Sequence, residues 1–224
     1  MNTQAYAWFF GGIWISFVGR DYKALTKYAQ QLQAYAQQHG MPQWAALARA
    51  FGALPLVISG WAVAATDELT AAMSDCERIQ SFAFRPTLLT ILASAELAAG
   101  RAEQALAATA SALEIAEQTR EHWFTAETWR VRGDVLLSAG RSEHATECFE
   151  RALVVARSQS ARLFELRVAT SLARLWCNQG KYGEARDLLA PIYGWFTEGF
   201  DTADLREAKA LLDELALGRL APAR

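Results

Sequence analysis

Cysteine is scarce in this 224-residue sequence, with only Cys76, Cys148 and Cys177. The number is odd and no two share a C-x-x-C spacing. That argues against a disulfide framework or a thiolate metal site, and for reduced thiols in the cytoplasm. His39, His122 and His144 are scattered, so no metal ligand set is expected. An excess of basic charge is missing too. The net charge is −2, against the basic face that a nucleic-acid partner requires. The charge is uneven: residues 1–60 hold four Lys/Arg and one acid, residues 61–120 eight acids and four Arg. The one strongly apolar run, Tyr6–Val18, is too short to span a bilayer. No Lys or Arg precedes it, as the start of a signal peptide demands. Neither a nucleic acid nor a membrane is therefore expected as a partner. No G-x-S-x-G, H-E-x-x-H, G-x-G-x-x-G or G-x-x-x-x-G-K-[ST] motif occurs. His144 precedes Cys148 by four residues on one helical face, a spacing open to thiol–imidazole chemistry. No orienting group or oxyanion site accompanies the pair, and a small helix residue beside a surface histidine accounts for it as well. The expectation is a non-enzyme with no catalytic residue and no cofactor.

What the sequence does have is alanine, leucine and a period. The composition is 52% hydrophobic, and no block reads as strand-rich. Gly19, Gly60, Gly100, Gly140 and Gly180 lie 41, 40, 40 and 40 residues apart, the mark of a repeat array. Seven residues before each stands Gly12, Ala53, Ala93, Gly133 or Ala173. Five after stands Ala24, Ala65, Ala105, Ala145 or Ala185. Two antiparallel helices approach closely only where the facing side chains are small. Larger residues nine after the turn (Tyr28, Leu69, Thr109, Phe149, Leu189) then fill space toward the next unit. One pair cannot bury its apolar face alone, so pairs stack.

Trp129, Gly133, Gly140, Ala145, Phe149 and Ala152 resemble the tetratricopeptide pattern of a bulky residue, a small one, a turn glycine, then Ala, aromatic, Ala. The 40-residue period exceeds the usual 34, adding about 1.7 helical turns per unit. The expected fold is an all-α, tetratricopeptide-like α-solenoid of about five antiparallel helix pairs plus a C-terminal capping helix. It forms a single repeat domain over residues 1–224, with repeats at about 3–40, 41–83, 84–120, 121–160 and 161–200 and the cap at 202–217. Pro55 and Pro191 fall inside expected helices and should kink or end them. Asp201 or Thr202 should cap the last helix, and Gly218–Arg224 should fray.

The run Pro191–Leu215, PIYGWFTEGFDTADLREAKALLDEL, with ATSLARLW and EARDLLA before it, resembles the C-terminal repeat region of large bacterial signalling proteins. Those proteins join a nucleotidyl cyclase or other output domain to a STAND-type predicted ATPase. None of the motifs of those catalytic parts is present, so the resemblance implies the sensor or scaffold part, as a fragment or encoded alone. Two functions follow from it. One is a regulatory scaffold holding a partner protein or peptide, or upstream domains of a longer chain, in a concave groove. The other is a small-molecule-sensing regulatory domain.

In tetratricopeptide-like arrays the first helix of each pair lines the groove. The resemblance implies that slots 13, 10, 6, 3 and 2 before the turn glycine face it. In repeats four and five these include Glu127, Arg130, Asp134, Arg167, Thr170, Arg174 and Asn178. Arginine suits a carboxylate, so an acidic partner segment is one reading. Pairing of these charges among themselves on a solvated face is the other. In repeat one Tyr6, Phe9, Ile13 and Phe17 take such slots, an apolar surface for upstream repeats or self-association.

Overall fold

The computed structural model describes residues 3–217, so the stretch expected to fray, Gly218–Arg224, lies outside the described residues. Among the described residues every regular element is a helix. The chain divides into two compact units, Met1–Glu121 and His122–Arg224. The first holds three pairs. Pair one is α1 (Thr3–Trp8), a π-helical stretch Phe9–Trp14 and α2 (Ile15–Val18), set against α3 (Tyr22–Gln38). Pair two is α4 (Pro42–Gly52) and α5 (Leu54–Ile58) with α6 (Ala62–Arg78), and pair three is α7 (Arg85–Ala98) with α8 (Ala102–Thr119). The second unit holds α9 (Thr125–Ser138) with α10 (Ser142–Ser158), α11 (Arg162–Asn178) with α12 (Tyr182–Tyr193), and α13 (Ala203–Ala216). Helix α13 packs on α11 and α12 through Leu205, Ala208 and Leu211 and turns Arg206, Lys209 and Asp213 outward. It is the capping helix of the fold.

A left-handed residue reverses the chain every twenty positions. Arg20, Gly40, Gly60, Gln80, Gly100, Arg120, Gly140, Ser160 and Gly180 all have φ between 54° and 84°. At each, the amide of the following residue donates back five positions, from Asp21 to Ser16 and so on to Lys181 and Trp176, at 2.8–3.1 Å. This is the Schellman ending, which satisfies a carbonyl that the helix leaves open. Glycine adopts it freely. Arg20, Gln80, Arg120 and Ser160 hold it at about 1–2 kcal/mol each.

The 41-residue first interval has its explanation here. Gly19 has φ −79°, and the left-handed position is Arg20, forty before Gly60. The slots of repeat one therefore sit one residue later than Gly19 indicates. Ile13 stands where Gly133 stands in repeat four, and Ala29 where Phe149 does. Where one partner across the pair is large the other is small: Ala53 with Leu69, Ala93 with Thr109, Gly133 with Phe149, Ala173 with Leu189, and in repeat one Gly12 with Tyr28, whose ring a Cβ on Gly12 would approach to 2.6 Å. The extreme case is repeat four. A Cβ on Gly133 would lie 2.5 Å from the buried Phe149 ring.

The prolines act differently from each other. Pro55 opens α5 after a break at Ala53, whereas α12 runs through Pro191 and ends at Tyr193. Thr202 is the residue that flanks α13, but its hydroxyl donates to the Gly199 carbonyl, and no side chain caps the helix.

Gly133→Ala should destabilise the chain by about 1–3 kcal/mol, even after alanine's helix-propensity gain of about 1 kcal/mol. Adding Phe149→Leu, the size that accompanies alanine in repeats two and five, should recover much of that loss. Urea unfolding of both single variants and the double variant measures the coupling.

Candidate partner-binding site

The second unit gathers four of the five charged residues expected to face a groove into one network. Helix α9 carries Glu127, Arg130 and Asp134 on one face, three and four residues apart. Arg130 donates to both Glu127 oxygens at 3.0 and 2.7 Å and to Asp134. From α11, Arg167 lies 3.5 Å from Glu127. Arg167 also forms a bidentate pair with Asp204 of α13 at 2.9 and 2.6 Å. The network runs Asp134, Arg130, Glu127, Arg167, Asp204 across three helices. It is no solvated face, since Glu127, Arg167 and Asp204 are only 6%, 9% and 3% exposed.

Burial alone would lower the pKa of Arg130 and Arg167. The charges and hydrogen bonds of Glu127, Asp134 and Asp204 outweigh it and raise both. At Asp134 burial is the stronger influence: it lifts the carboxyl above the ordinary range, more than Arg130 draws it down. Elsewhere in the second unit, buried Glu165 accepts from Arg157 at 2.8 Å and Arg162 at 2.7 Å. Burial pushes its pKa up, but those two arginines outweigh it and hold it below the usual value. Burial raises the thiol pKa of Cys76, Cys148 and Cys177, the reverse of what a nucleophile needs.

The other positions divide. Thr170 is buried and its hydroxyl donates to the Leu166 carbonyl at 2.8 Å. Arg174 and Asn178 are exposed, with Arg174 3.8 Å from Glu207. They line an open cleft of about 250 Å³ between α11 and α13, with Cys177, Leu211 and Glu214.

In the first unit Phe9, Ile13 and Phe17 are buried, and the Phe9 ring lies 5.5 Å from that of Phe51 and 5.3 Å from that of Phe84. Counting slots from Arg20 moves two outward ones from Phe9 and Ile13 to Phe10 and Trp14, and Phe10 is exposed while Phe9 and Ile13 enter the core; Phe17 takes a slot in either count and is buried all the same, and Tyr6 is exposed. Among the described residues no cluster of three His, Cys, Asp or Glu fits a metal ion, and no helix is long and apolar enough to cross a membrane.

Sequence reading missed Asp204, which sat unremarked beside the leucine stripe of the cap. The available signal was an acid in the first turn of the next stacked helix, after an acid on α9 and a base on α11.

The family model for the tetratricopeptide repeat matches residues 84–158. The chain carries a tetratricopeptide-like repeat region. Its fold is that of solved arrays at low identity. It is similar to the nearly identical TPR-like repeats of a Podosopora anserina protein described as a kinesin light chain, with 17% identity and a TM-score of 0.59, covering 80% of this chain and 88% of that one. It is also similar to a Rap protein crystallised with Competence and Sporulation Factor, with 12% identity and a TM-score of 0.61 over 92% of this chain and 63% of that one. No curated protein matches the sequence.

Asp204→Ala should remove the bidentate partner of buried Arg167 and cost about 3 kcal/mol. Urea unfolding quantifies the loss, and faster proteolytic cleavage between Gly194 and Asp201 should report the loosened cap.

Proposed function

We propose that this chain is a non-catalytic protein-interaction and regulatory scaffold in the cytoplasm, acting as one repeat domain and holding a partner segment along its first-helix slots. The tetratricopeptide match supports the scaffold class, and the bacterial signalling resemblance supports the regulatory setting. The observation that carries the site is the contrast among the groove arginines. Arg130 and Arg167 are consumed by internal carboxylates, whereas Arg174 projects beside an open cleft. Glu207 and Glu214 line the same cleft, so a purely acidic segment is repelled. The complementary segment carries one carboxylate for Arg174 and a cation for Glu214.

Affinity capture from the native host with wild type and Arg174→Glu, followed by mass spectrometry, tests the reading. A partner lost by the variant, with the melting temperature unchanged, is the expected result. A partner retained equally by both removes Arg174 from the site. Changing Arg130 or Arg167 instead would confound binding with unfolding, because each belongs to the buried network.

A second surface is favoured by the exposure of Tyr6 and Phe10, at 38% and 41%. It meets upstream domains of a longer chain or a second copy. Sedimentation velocity across a concentration series should show self-association that Tyr6→Ser/Phe10→Ser abolishes. A monomer at every concentration leaves only the upstream-domain role.

A further inference from the structure

The repeats supply their own control for reading a site, because equivalent slots recur every forty residues. Position 49 is arginine, where the other repeats have Phe9, Leu89, Trp129 and Ala169. Position 33 is glutamine, where the following repeats have Met73, Leu113, Leu153 and Tyr193. Position 68 is glutamate, where the later ones have Ala108, Cys148 and Leu188. Elsewhere these slots hold filler, such as the buried Leu89, Ala108, Cys148 and Leu153. Around the second pair three polar residues replace it together, on three different helices.

They converge on one place. Gln33 of α3, Arg49 of α4 and Glu68 of α6 all line two adjoining open clefts of about 460 Å³ each. Arg49 donates to Glu68 and lies 3.5 Å from Asp75. Small residues line the floor of the clefts. Gly52 stands where repeats three and five have Leu92 and Leu172 and lets α4 approach α3 closely, since a Cβ there would come within 3.0 Å of Ala29. Ala45, Ala46, Ala48 and Ala53 complete the floor. This face of α4 is opposite the one bearing Leu47, Ala50 and Leu54, so it is separate from the first-helix groove slots.

Polar groups in filler slots forgo apolar burial, and the Arg49 and Glu68 side chains are 32% and 44% exposed, where an ion pair returns little stability. From this convergence of an amide, an ion pair and an alanine floor in a cleft between α3 and α6, we infer a binding site for an extended, uncharged peptide segment of about five residues with small side chains. Three features set that ligand class. Thr26, Gln30, Gln33 and Gln37 all line the clefts from α3, over about 16 Å at 1.5 Å rise per residue. That length matches about five residues of extended chain at 3.3 Å each. Glutamine amides both donate and accept, as a peptide backbone requires. Arg49 is neutralised by Glu68 and Asp75, which disfavours a strongly anionic ligand, and the alanine floor leaves room only for small inward side chains.

The test uses a resin-displayed library of acetylated, amidated pentapeptides built from Gly, Ala, Ser, Pro and Val, screened against the full chain. Bound sequences are then measured by fluorescence polarisation. Gln33→Met/Arg49→Leu/Glu68→Ala installs the solution of the third repeat. It should weaken binding about tenfold, the loss of a charge-assisted hydrogen bond, with melting at or above wild type. Gln30→Ala/Gln37→Ala, at exposed positions, should weaken binding several-fold with the fold untouched. Arg174→Glu should leave it unchanged, which separates this site from the groove reading. Failure of the wild type to retain any library peptide at millimolar concentration overturns the inference. So does equal binding by either glutamine-bearing variant set, or a lower melting temperature of the triple variant, which marks the trio as structural.

Discussion

The structure depends on a helix that must end in the same way every twenty residues. A Schellman ending needs one residue in the left-handed region and a hydrogen bond reaching back five positions. Because that bond recurs at nine consecutive ends from Ser16 to Lys181, helix and loop trade residues while their sum stays constant. Helix α9 is three residues shorter than α11, and the loop before it longer, yet Gly140 still follows Arg120 by twenty. The constancy keeps equivalent slots at equivalent heights. Only then does the size rule across each pair make sense, with glycine under Phe149 and alanine under Leu69 or Leu189.

Electrostatics enters where the slots stop being apolar. In the second unit the same height on three stacked helices holds Glu127, Arg167 and Asp204, alternating in sign. Buried pairs of this kind seldom stabilise more than well-packed apolar residues, but leaving one member unpaired is severe. Their effect is therefore on choice: α13 seats with Asp204 against Arg167, and a shifted register would strand a buried charge. The network also explains why Arg130, Arg167 and Arg174 are not equivalent. Two are structural by virtue of their partners, and the third projects into the cleft beside α13.

Much of this was legible in the sequence, for reasons that differ by element. The turn glycines at 60, 100, 140 and 180 were readable because glycine adopts the left-handed region without cost. Gln80, Arg120 and Ser160 do the same work and were invisible, since nothing in their chemistry announces it. Gly19 was a decoy one residue from Arg20, and that single step carried Phe9 and Ile13 from an expected surface into the core. The charges on α9 and α11 were legible as one face. Their burial was not, because it depends on Asp204 arriving from a helix that reads as a simple leucine stripe. The cleft around Arg49 emerges only when repeats are compared slot by slot in the corrected register.

The twenty-residue cadence also makes the chain behave like a text with a reading frame. Deleting one residue inside α10 or α11 would rotate everything between it and the next reversal by about 100°, a full side-chain position. Phe149 would leave Gly133 and Arg167 would leave Asp204. The stretches 81–84, 121–124 and 194–202 lie outside helices and can absorb a change of length. The geometry of the turns thus sets these three places apart as the ones where an insertion or deletion leaves every helix in register with its neighbour.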